Sequence, residues 1–311
     1  MANPLNPRKH GSAADLRDAY LELLIGALTH TLYAELDLVD VPDEIREALE
    51  EEMKTADDAW ILGRPDIARA QGRDWPRLAQ TMVGLERLRN VRFAVERVIA
   101  ERIPGDLIEA GTWRGGVGIL MRGVLRAHGV TDRRIYLADS FQGLPEPNAD
   151  YPADEGDRSH AMEPLAVSVE EVRDNFRRYG LLDDTVELVE GWFRDTLPPL
   201  RGREWALVRL DGDMYESTMD GLTNLYPGLA PGGFLIVDDY GLPPCREAVE
   251  DYRREHGITE KVHKIDWVGA YWRKRGATLR RAPRELGEKA VETARRSPLA
   301  PALRRVKQRS R

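Results

Sequence analysis

The sequence predicts an α/β protein in which a doubly wound, mostly parallel, Rossmann-like sheet follows an N-terminal layer of helices. Two patterns support this class. From residue 104 onwards, short apolar runs alternate with helical stretches, as in a parallel sheet covered by helices on both faces. Before that point, apolar residues recur at the spacing of amphipathic helices. We therefore expect a helical cap and oligomerisation region (1–103), a ligand-binding core (104–274) and a basic tail (275–311).

Length and charge limit the class of protein further. A chain of 311 residues with 42% hydrophobic content can bury a substantial core. It has no apolar run typical of a signal peptide or a membrane span, and its single cysteine, Cys245, fits a packing role in a reducing compartment, so we expect a cytoplasmic protein with no membrane partner. The net charge of −7 divides into +11 on residues 273–311 and −18 on the rest. The tail has no aromatic residue to stack on bases, so we expect no nucleic-acid partner.

The N-terminal layer is predicted to contain three helices, over residues 13–36, 41–56 and 74–103. The first has apolar residues at helical spacing, and the second is charged and amphipathic. The third is long, with Asp74 as a plausible N-cap and Pro76 in its first turn, where proline is tolerated.

Five strand candidates follow, each a short run rich in apolar residues. They are residues 106–111, 134–140, 185–192, 205–211 and 233–239, with helices expected near 116–128, 168–179, 216–229 and 244–256. Ser168 and Glu171 have the spacing of a capping box, and Gly180 ends that helix. Residues 262–274 predict one or two closing strands. Because doubly wound sheets bind ligands at the carboxyl ends of their strands, the residues after each strand are the functional candidates.

The first strand leads into EAGTWRGG, residues 109–116, which has the composition of a cofactor-binding turn. Gly111 permits a tight turn and close approach of a ligand, and the N-terminus of the following helix points to the same place. A dinucleotide fingerprint would need glycine where Trp113 stands, so NAD is disfavoured; a plain strand-to-helix turn remains the alternative. The candidate cofactor-binding residues here are Glu109, Gly111, Thr112, Trp113 and Gly115.

The residues at the ends of the second and third strands predict a nucleoside-binding site. Asp139 can accept both hydroxyls of a ribose, and Ser140 lies beside it. Glu190, Gly191 and Trp192 could line an adenine pocket, although a lone tryptophan is as often a core residue. An acidic ribose site without a phosphate signature predicts a nucleoside cofactor that lacks pyrophosphate. S-adenosylmethionine fits this description.

The fourth and fifth strand ends carry paired acids, Asp211 and Asp213 in RLDGDMYES and Asp238 and Asp239 in IVDDY. Each aspartate alone could be an N-cap or a turn former. Together they can converge on a hard cation, and because no His or Cys is close in sequence, oxygen ligands favour Mg²⁺ over Zn²⁺. Neighbouring strand residues point to opposite faces, so Asp238 and Asp239 can share an ion only where the chain has left the strand.

Six segments, in this order, resemble the macrocin O-methyltransferase family (TylF type). They are EAGTWRGG, ADSFQGLP, EGWFRDTLP, RLDGDMYEST, IVDDYG and IDWVGAYWRK. The resemblance covers about residues 75–274 and implies a class I methyltransferase fold, so that 104–274 would be an S-adenosylmethionine-binding core. It further implies an enzyme that methylates a hydroxyl of a deoxysugar on a glycosylated antibiotic.

The resemblance also implies roles for particular residues. The aspartates that would hold Mg²⁺ match Asp211, Asp238 and Asp239, and Asp211 would also be the catalytic base. Cofactor-binding positions fall on Glu109, Gly111, Asp139, Ser140 and Trp192. The N-terminal helices would cover the site of a small-molecule acceptor and support a homo-oligomer.

Several secondary candidates and two alternatives remain. Asp213 competes with Asp211 as ligand or base, although a turn role is favoured, and the stretch 148–164 is predicted to be a mobile loop that closes over ligands. Tyr215 and Glu216 are candidates for the acceptor pocket, and His160 and His263 for proton acceptance. A metal-dependent methyltransferase of phenolic diols would share the same sheet and acids. A non-enzymatic protein whose basic tail binds RNA or a partner is the second alternative.

Overall fold

The computed structural model describes residues 12–33 and 64–275, so the predicted helix at 41–56 and the tail beyond 275 lie outside the described residues. Seven strands occur in these ranges: β1 Asp106–Ala110, β2 Ile135–Asp139, β3 Val186–Glu190, β4 Trp205–Leu210, β5 Leu229–Val237, β6 His263–Lys264 and β7 Ala270–Arg273. They form one sheet in the order β3-β2-β1-β4-β5-β7-β6. Strands β1 to β5 are parallel, and β7 pairs antiparallel with both β5 and β6. The predicted doubly wound sheet is confirmed.

Helices cover both faces of this sheet. Within the described ranges they are α1 Ala13–Leu28, α2 Pro65–Gln71, α3 Leu85–Glu101, α4 Gly116–Ala127, α5 Val169–Arg178, α6 Phe193–Thr196, α7 Tyr215–Leu225 and α8 Pro243–Glu255. The hydroxyl of Ser168 accepts a hydrogen bond from the Glu171 amide at the start of α5, as its sequence predicts. None of the helices in these ranges is long and apolar enough to cross a membrane.

Alternate residues of the central strands β1, β4 and β5 enter two separate cores, because successive strand side chains point to opposite faces. Leu107 of β1 packs in the core that contains buried residues of α1, α3 and α4. The next residue, Ile108, packs in the core that contains Leu222 of α7 and Val249 of α8. Because both faces are buried, the polar groups of the sheet collect at the ends of its strands.

The predicted helix over 74–103 is wrong in its first third, because only Leu85–Glu101 is helical. The backbone of the preceding segment bonds to other elements instead. The Gln80 amide donates to the carbonyl of Leu28, and the Gln80 carbonyl accepts from the amide of Gly116. The Arg114 guanidinium also donates hydrogen bonds to the carbonyls of residues 76, 77 and 79. The helix begins after Gly84, so Asp74 does not cap it. The segment therefore lies as an extended strap between α1 and the first residues of α4.

The predicted mobile loop at 148–164 contains defined short turns. Residues 152–154, 159–161 and 163–165 each form one turn of 3₁₀-helix. The buried carboxylate of Asp154 accepts from the amides of Tyr215, at 2.7 Å, and Glu216, at 3.0 Å. Two of the free amides at the start of α7 are thereby satisfied, and the loop is anchored beside the acids that precede that helix.

Candidate active site

A cavity of about 270 Å³ opens at the carboxyl ends of β1, β2, β4 and β5. β1 and β4 are neighbours at the centre of the sheet, where the strand order reverses and where such folds bind their ligands. The residues singled out from the sequence that line the cavity are Glu109, Gly111, Thr112, Trp113, Asp139, Ser140, Trp192, Asp211, Asp213, Glu216, Asp238 and Asp239. Those that do not line it are Gly115, His160, Glu190, Gly191, Tyr215 and His263.

Glycine is required at position 111 because the main chains at Gly111 and Asp211 lie very close together. The φ of Gly111 is +88°, and a Cβ added there would lie 1.6 Å from the carbonyl oxygen of Asp211. The amide of Asp211 in turn donates to the carbonyl of Ala110 at 2.8 Å. The space beside Gly111, where a ligand was predicted to approach, is thus filled by the backbone of Asp211. This backbone contact holds the turn after β1 against the acids after β4.

We expect Gly111→Ala to lower the free energy of unfolding by about 2–5 kcal/mol. A left-handed backbone costs a residue with a Cβ about 1–2 kcal/mol, and forcing side-chain atoms into a packed site costs about 1–3 kcal/mol more. Gly180→Ala is the matched control, because its φ of +64° is also left-handed but its Cβ would meet nothing within 4 Å. Urea unfolding should give a loss of about 1 kcal/mol for the control, and equal losses in the two variants would contradict this account.

Asp139 shapes the turn after β1 from the end of β2. Its Oδ2 accepts from the amides of Thr112, at 2.7 Å, and Trp113, at 3.3 Å, and its Oδ1 accepts from the amide of Phe141 at 2.8 Å. Burial raises the pKa of Asp139, although these amides favour its charged form. Asp139, which was predicted to accept a ribose, is therefore seen to fix the backbone of the turns after β1 and β2.

The other predicted cofactor residues divide into lining and supporting groups. The Ser140 hydroxyl donates to the carbonyl of Gly143 at 2.6 Å, so it closes a turn at the cavity wall. Trp192 lines the cavity directly. Gly191 contributes its amide to the carbonyl of Asp139 at 2.9 Å, and Gly115 packs at the start of α4 with a φ of +82°.

Three carboxylates come together at the ends of β4 and β5. One oxygen from each of Asp211, Asp213 and Asp239 lies within 4.8 Å of the others. Asp213 has a φ of +55°, a rare conformation for a residue other than glycine, and its amide donates to Asp239 Oδ2 at 3.2 Å. Burial and the charge of Asp211 raise the pKa of Asp213 to about 7, and burial and Asp213 raise that of Asp239 well above its usual range. We call these three residues the acid cluster.

The structure does not bring Asp238 into the acid cluster, although the predicted set contained Asp211, Asp238 and Asp239. One carboxylate oxygen of Asp238 pairs with Arg87 of α3, and the other with Arg209 of β4 at 2.5 Å. Burial alone would raise the pKa of Asp238, but the two guanidinium groups lower it. Strand β5 ends at Val237, so Asp238 and Asp239 lie outside the strand, which was the condition for the two residues to share an ion.

Arg209 connects Glu109, at the end of β1, to the acids that follow β4 and β5. Its fully buried guanidinium lies 2.6 Å from Glu109, 2.8 Å from Asp211 and 2.5 Å from Asp238. Burial raises the pKa of Glu109 to about 8, because the cost of removing its charge from water exceeds the attraction of Arg209. Three carboxyl groups from three strands thus share one cation.

Sequence reasoning missed Arg87 and Arg209. Arg209 had a visible signal, because it is the one charged residue inside the apolar run of β4, residues 205–210. A buried charge at such a position requires a partner, which directs attention to the acids nearby. Arg87 had no such signal, since an arginine in an amphipathic helix is ordinary.

The fold and the cavity define the class of protein first. The fold is shared with solved methyltransferases, among them the O-methyltransferase NovP, which is 45% identical with a TM-score of 0.72 over 84% of this chain and 100% of that one. The calicheamicin methyltransferase CalS11 has the same fold at 19% identity and a TM-score of 0.51, covering 77% of this chain and 96% of that one. The chain has the fold of a class I O-methyltransferase.

The particular family follows from the sequence match. The model of the macrocin-O-methyltransferase (TylF) family matches residues 17–274, and the chain belongs to that family. It is therefore an O-methyltransferase, and the family implies S-adenosylmethionine as the methyl donor. The resemblance noted in its six segments is confirmed.

Two relatives show which acceptors occur among similar proteins. An enzyme of Streptomyces olivaceus, named 8-demethyl-8-(2,3-dimethoxy-alpha-L-rhamnosyl)-tetracenomycin-C 4'-O-methyltransferase, is 48% identical over 269 residues, covering 86% of this chain and 96% of its own. The demethyldecarbamoylnovobiocin O-methyltransferase of Streptomyces niveus is 47% identical over 260 residues, covering 82% and 93%. The chain is thus similar over most of its length to methyltransferases of antibiotic biosynthesis.

Proposed function

We propose that this enzyme transfers a methyl group from S-adenosylmethionine directly to a sugar hydroxyl of a glycosylated small molecule. The observation that carries the proposal is the 48% identity, over 86% of the chain, to a methyltransferase that acts on a rhamnosyl-tetracenomycin. The site is consistent with it, because a cofactor turn lies beside carboxylates that can receive a proton. The aglycone differs between the two relatives, and the proposal specifies neither the aglycone nor the methylated position.

The cofactor is proposed to lie along the carboxyl ends of β1, β2 and β3. Asp139 would accept the ribose hydroxyls, and Trp192 would pack against the adenine. Glu109 and the turn after β1 would hold the methionine part, with Gly115 and Gly191 supporting the wall from behind. The residues in this proposal are Glu109, Gly111, Thr112, Trp113, Gly115, Asp139, Ser140, Gly191 and Trp192.

The acid cluster fits a divalent metal ion. Its residues offer carboxylate oxygens, the donors that Mg²⁺ prefers. Burial and the repulsion between neighbouring carboxylates raise the pKa values of Asp213 and Asp239, and a cation would relieve the repulsion. Asp211 and Asp239 belong to both the predicted set and the acid cluster, and we propose that they hold Mg²⁺. When bound, the ion would supply Lewis-acid polarisation of the acceptor hydroxyl.

Asp213 is the better placed of the two candidate bases. Burial raises the pKa of Asp211, but its ion pair with Arg209, at 2.8 Å, opposes that rise. Asp213 forms no ion pair with an arginine or lysine in the described part of the chain. Because a bound cation would relieve the repulsion that helps to raise the pKa of Asp213, the reference is an ordinary aspartate, with a pKa of about 3.9. An aliphatic hydroxyl with a pKa near 15.7 lies about 12 units above it, so full proton transfer would cost about 16 kcal/mol. Asp213 therefore accepts the proton as the methyl group arrives, not before.

The metal proposal predicts a strict dependence on added cation. Enzyme treated with a chelator and desalted should lose at least about 99% of its rate and regain it with Mg²⁺. Asp239→Asn should raise the Mg²⁺ concentration that gives half the maximal rate, because one oxygen ligand loses its charge. Full activity of the metal-free enzyme would contradict this part of the proposal.

The acceptor class is tested by direct competition between substrates. The enzyme, with S-adenosylmethionine and Mg²⁺, is given 4-methylumbelliferyl α-L-rhamnoside, methyl α-L-rhamnoside and catechol, and methylated products are measured by mass spectrometry. We expect kcat/KM for the umbelliferyl glycoside to exceed that for catechol by at least about 100-fold, because a phenolic diol lacks the sugar that the acceptor site would position. A preference for catechol would favour the phenolic alternative.

The remaining predictions belong to the same proposal. We propose that residues 104–274 form the methyltransferase core, that the helices of 1–103 cover the acceptor and support a homo-oligomer, and that the tail 275–311 is a separate basic segment. Cytoplasmic location and the absence of nucleic-acid and membrane partners remain predictions from composition. Size-exclusion chromatography with light scattering would measure the oligomeric state.

A further inference from the structure

The cavity contains an exposed tryptophan that neither the cofactor nor the proposed proton transfer uses. Trp267 lies between β6 and β7, lines the cavity and is 42% exposed. Val268 and Leu242 line the same part of the wall. An apolar surface of this kind inside a cavity is surface that a ligand can cover.

The order of strands places Trp267 on the acceptor side of the site. The cofactor turn follows β1, the acids follow β4 and β5, and the next strand is β7, whose first residue Ala270 pairs with Val237 at the end of β5. Trp267 precedes β7 by three residues. Across the sheet, the acids therefore lie between the cofactor turn and Trp267. Because the hydroxyl must approach the methyl group at the acids, the rest of the acceptor extends toward Trp267.

The indole is held in one orientation. Its Nε1–H donates to the carbonyl of Gln71 at 3.0 Å, and the guanidinium of Arg73 lies over the ring at 4.6 Å. The only polar atom of the side chain is therefore already bonded within the protein. The guanidinium of Arg87 also lies over the ring, at 6.0 Å from its centroid. What remains for a ligand is the exposed part of the indole, an aromatic surface whose orientation costs no further ordering on binding.

The turn that carries Trp267 is also fixed. Asp266 Oδ1 accepts from the amides of Val268, at 3.0 Å, and Gly269, at 2.7 Å, and Oδ2 accepts from Arg87 at 3.0 Å. The Arg87 guanidinium is the same one that pairs with Asp238. The ring is thus tied to the floor of the active site by a short chain of ion pairs.

We propose that Trp267 is the platform on which the aglycone of the acceptor stacks, and that it determines specificity for glycosides with a planar, apolar aglycone. The inference rests on the proposed function and adds to it the chemical class of the group beyond the sugar. The acids are the groups suited to the hydroxyls of the sugar, and the order of strands puts Trp267 beyond those acids, where the group attached to the sugar would lie. A planar aglycone gains dispersion and stacking contacts there.

The test compares two acceptors that differ only in aglycone. With Trp267→Ala, we expect KM for 4-methylumbelliferyl α-L-rhamnoside to rise roughly tenfold, equivalent to about 1.4 kcal/mol, while KM for methyl α-L-rhamnoside and for S-adenosylmethionine is unchanged. Trp267→Phe should have a KM for the umbelliferyl glycoside close to that of the wild type, because it keeps an aromatic ring. Arg134→Ala is the control, since Arg134 is 46% exposed, lies outside the N-terminal helices and does not line the cavity, and it should change neither KM.

Each other outcome has a definite meaning. An equal rise in KM for both rhamnosides would show that the ring contacts the sugar or only supports the fold, and would overturn the inference, as would no change in either KM. If the wild-type enzyme methylated catechol and neither rhamnoside, the proposed function would fail and this inference with it. A rise confined to the umbelliferyl glycoside supports both.

Discussion

Arg209→Met is expected to lower the free energy of unfolding by about 3–5 kcal/mol and to abolish measurable methyl transfer. The substitution preserves most of the side-chain volume but removes the cation shared by Glu109, Asp211 and Asp238. Removing one partner of a buried ion pair leaves charges that are neither solvated nor compensated, which costs about this much. Urea unfolding of the two proteins at the same pH measures the difference.

The control for this substitution is an exposed arginine of the same sheet region. Arg134 pairs with Glu187, and their side chains are 46% and 44% exposed, so Arg134→Met should cost no more than about 1 kcal/mol. Part of the stability of Arg209→Met should return as the pH falls, because the unpaired carboxylates can then take up protons. A loss below about 1 kcal/mol for Arg209→Met would show that the three carboxyl groups do not depend on this cation.

Asp213→Asn is expected to reduce kcat by a factor of about 10² to 10⁴ while leaving the fold and the affinity for S-adenosylmethionine unchanged. Asparagine is close in size to aspartate and can keep the left-handed backbone, but it cannot accept the proton of the hydroxyl. The size of the effect is that of a general base. Steady-state kinetics at saturating Mg²⁺ and isothermal titration with the cofactor separate the two quantities.

Two further variants decide between the candidate bases. Asp220 lines the same cavity but lies outside the acid cluster, so Asp220→Asn should keep kcat within about tenfold of the wild type. Asp211→Asn should act mainly through metal affinity and should be partly rescued by high Mg²⁺. If instead Asp213→Asn retained most activity and Asp211→Asn could not be rescued, Asp211 would be the base, as its position at the strand end first indicated.

The sheet was predictable because its strands are short apolar runs whose burial on both faces is visible in composition alone. The bounds of β1 to β4 differ from expectation by no more than two residues, and β5 begins four residues earlier than expected. The segment 74–84 was not predictable, because its residues suit a helix and only hydrogen bonds to distant elements, such as Gln80 to Leu28 and Gly116, keep it extended. Local preference was overridden there by tertiary contacts.

The acids at the ends of β4 and β5 were likewise predictable only in part. Their location at two adjacent strand ends follows from the sequence, because parallel strands end at one edge. Which oxygens meet does not follow from it, since the left-handed turn at Asp213 directs that carboxylate into the acid cluster. Asp238 is drawn away by Arg87, which lies 151 residues earlier in the chain. A contact of that separation leaves no local pattern.

The most direct test of the central claim is the position of the transferred carbon. Enzyme, Mg²⁺, 4-methylumbelliferyl α-L-rhamnoside and S-adenosylmethionine labelled with ¹³C in its methyl group are incubated, and the product is examined by ¹³C NMR with correlation to the ring protons. The account predicts a single labelled methoxy carbon correlated with one sugar proton, formed only with metal present and lost in Asp213→Asn. Label on the aglycone or on the protein, or transfer that persists unchanged in Asp213→Asn, would contradict it.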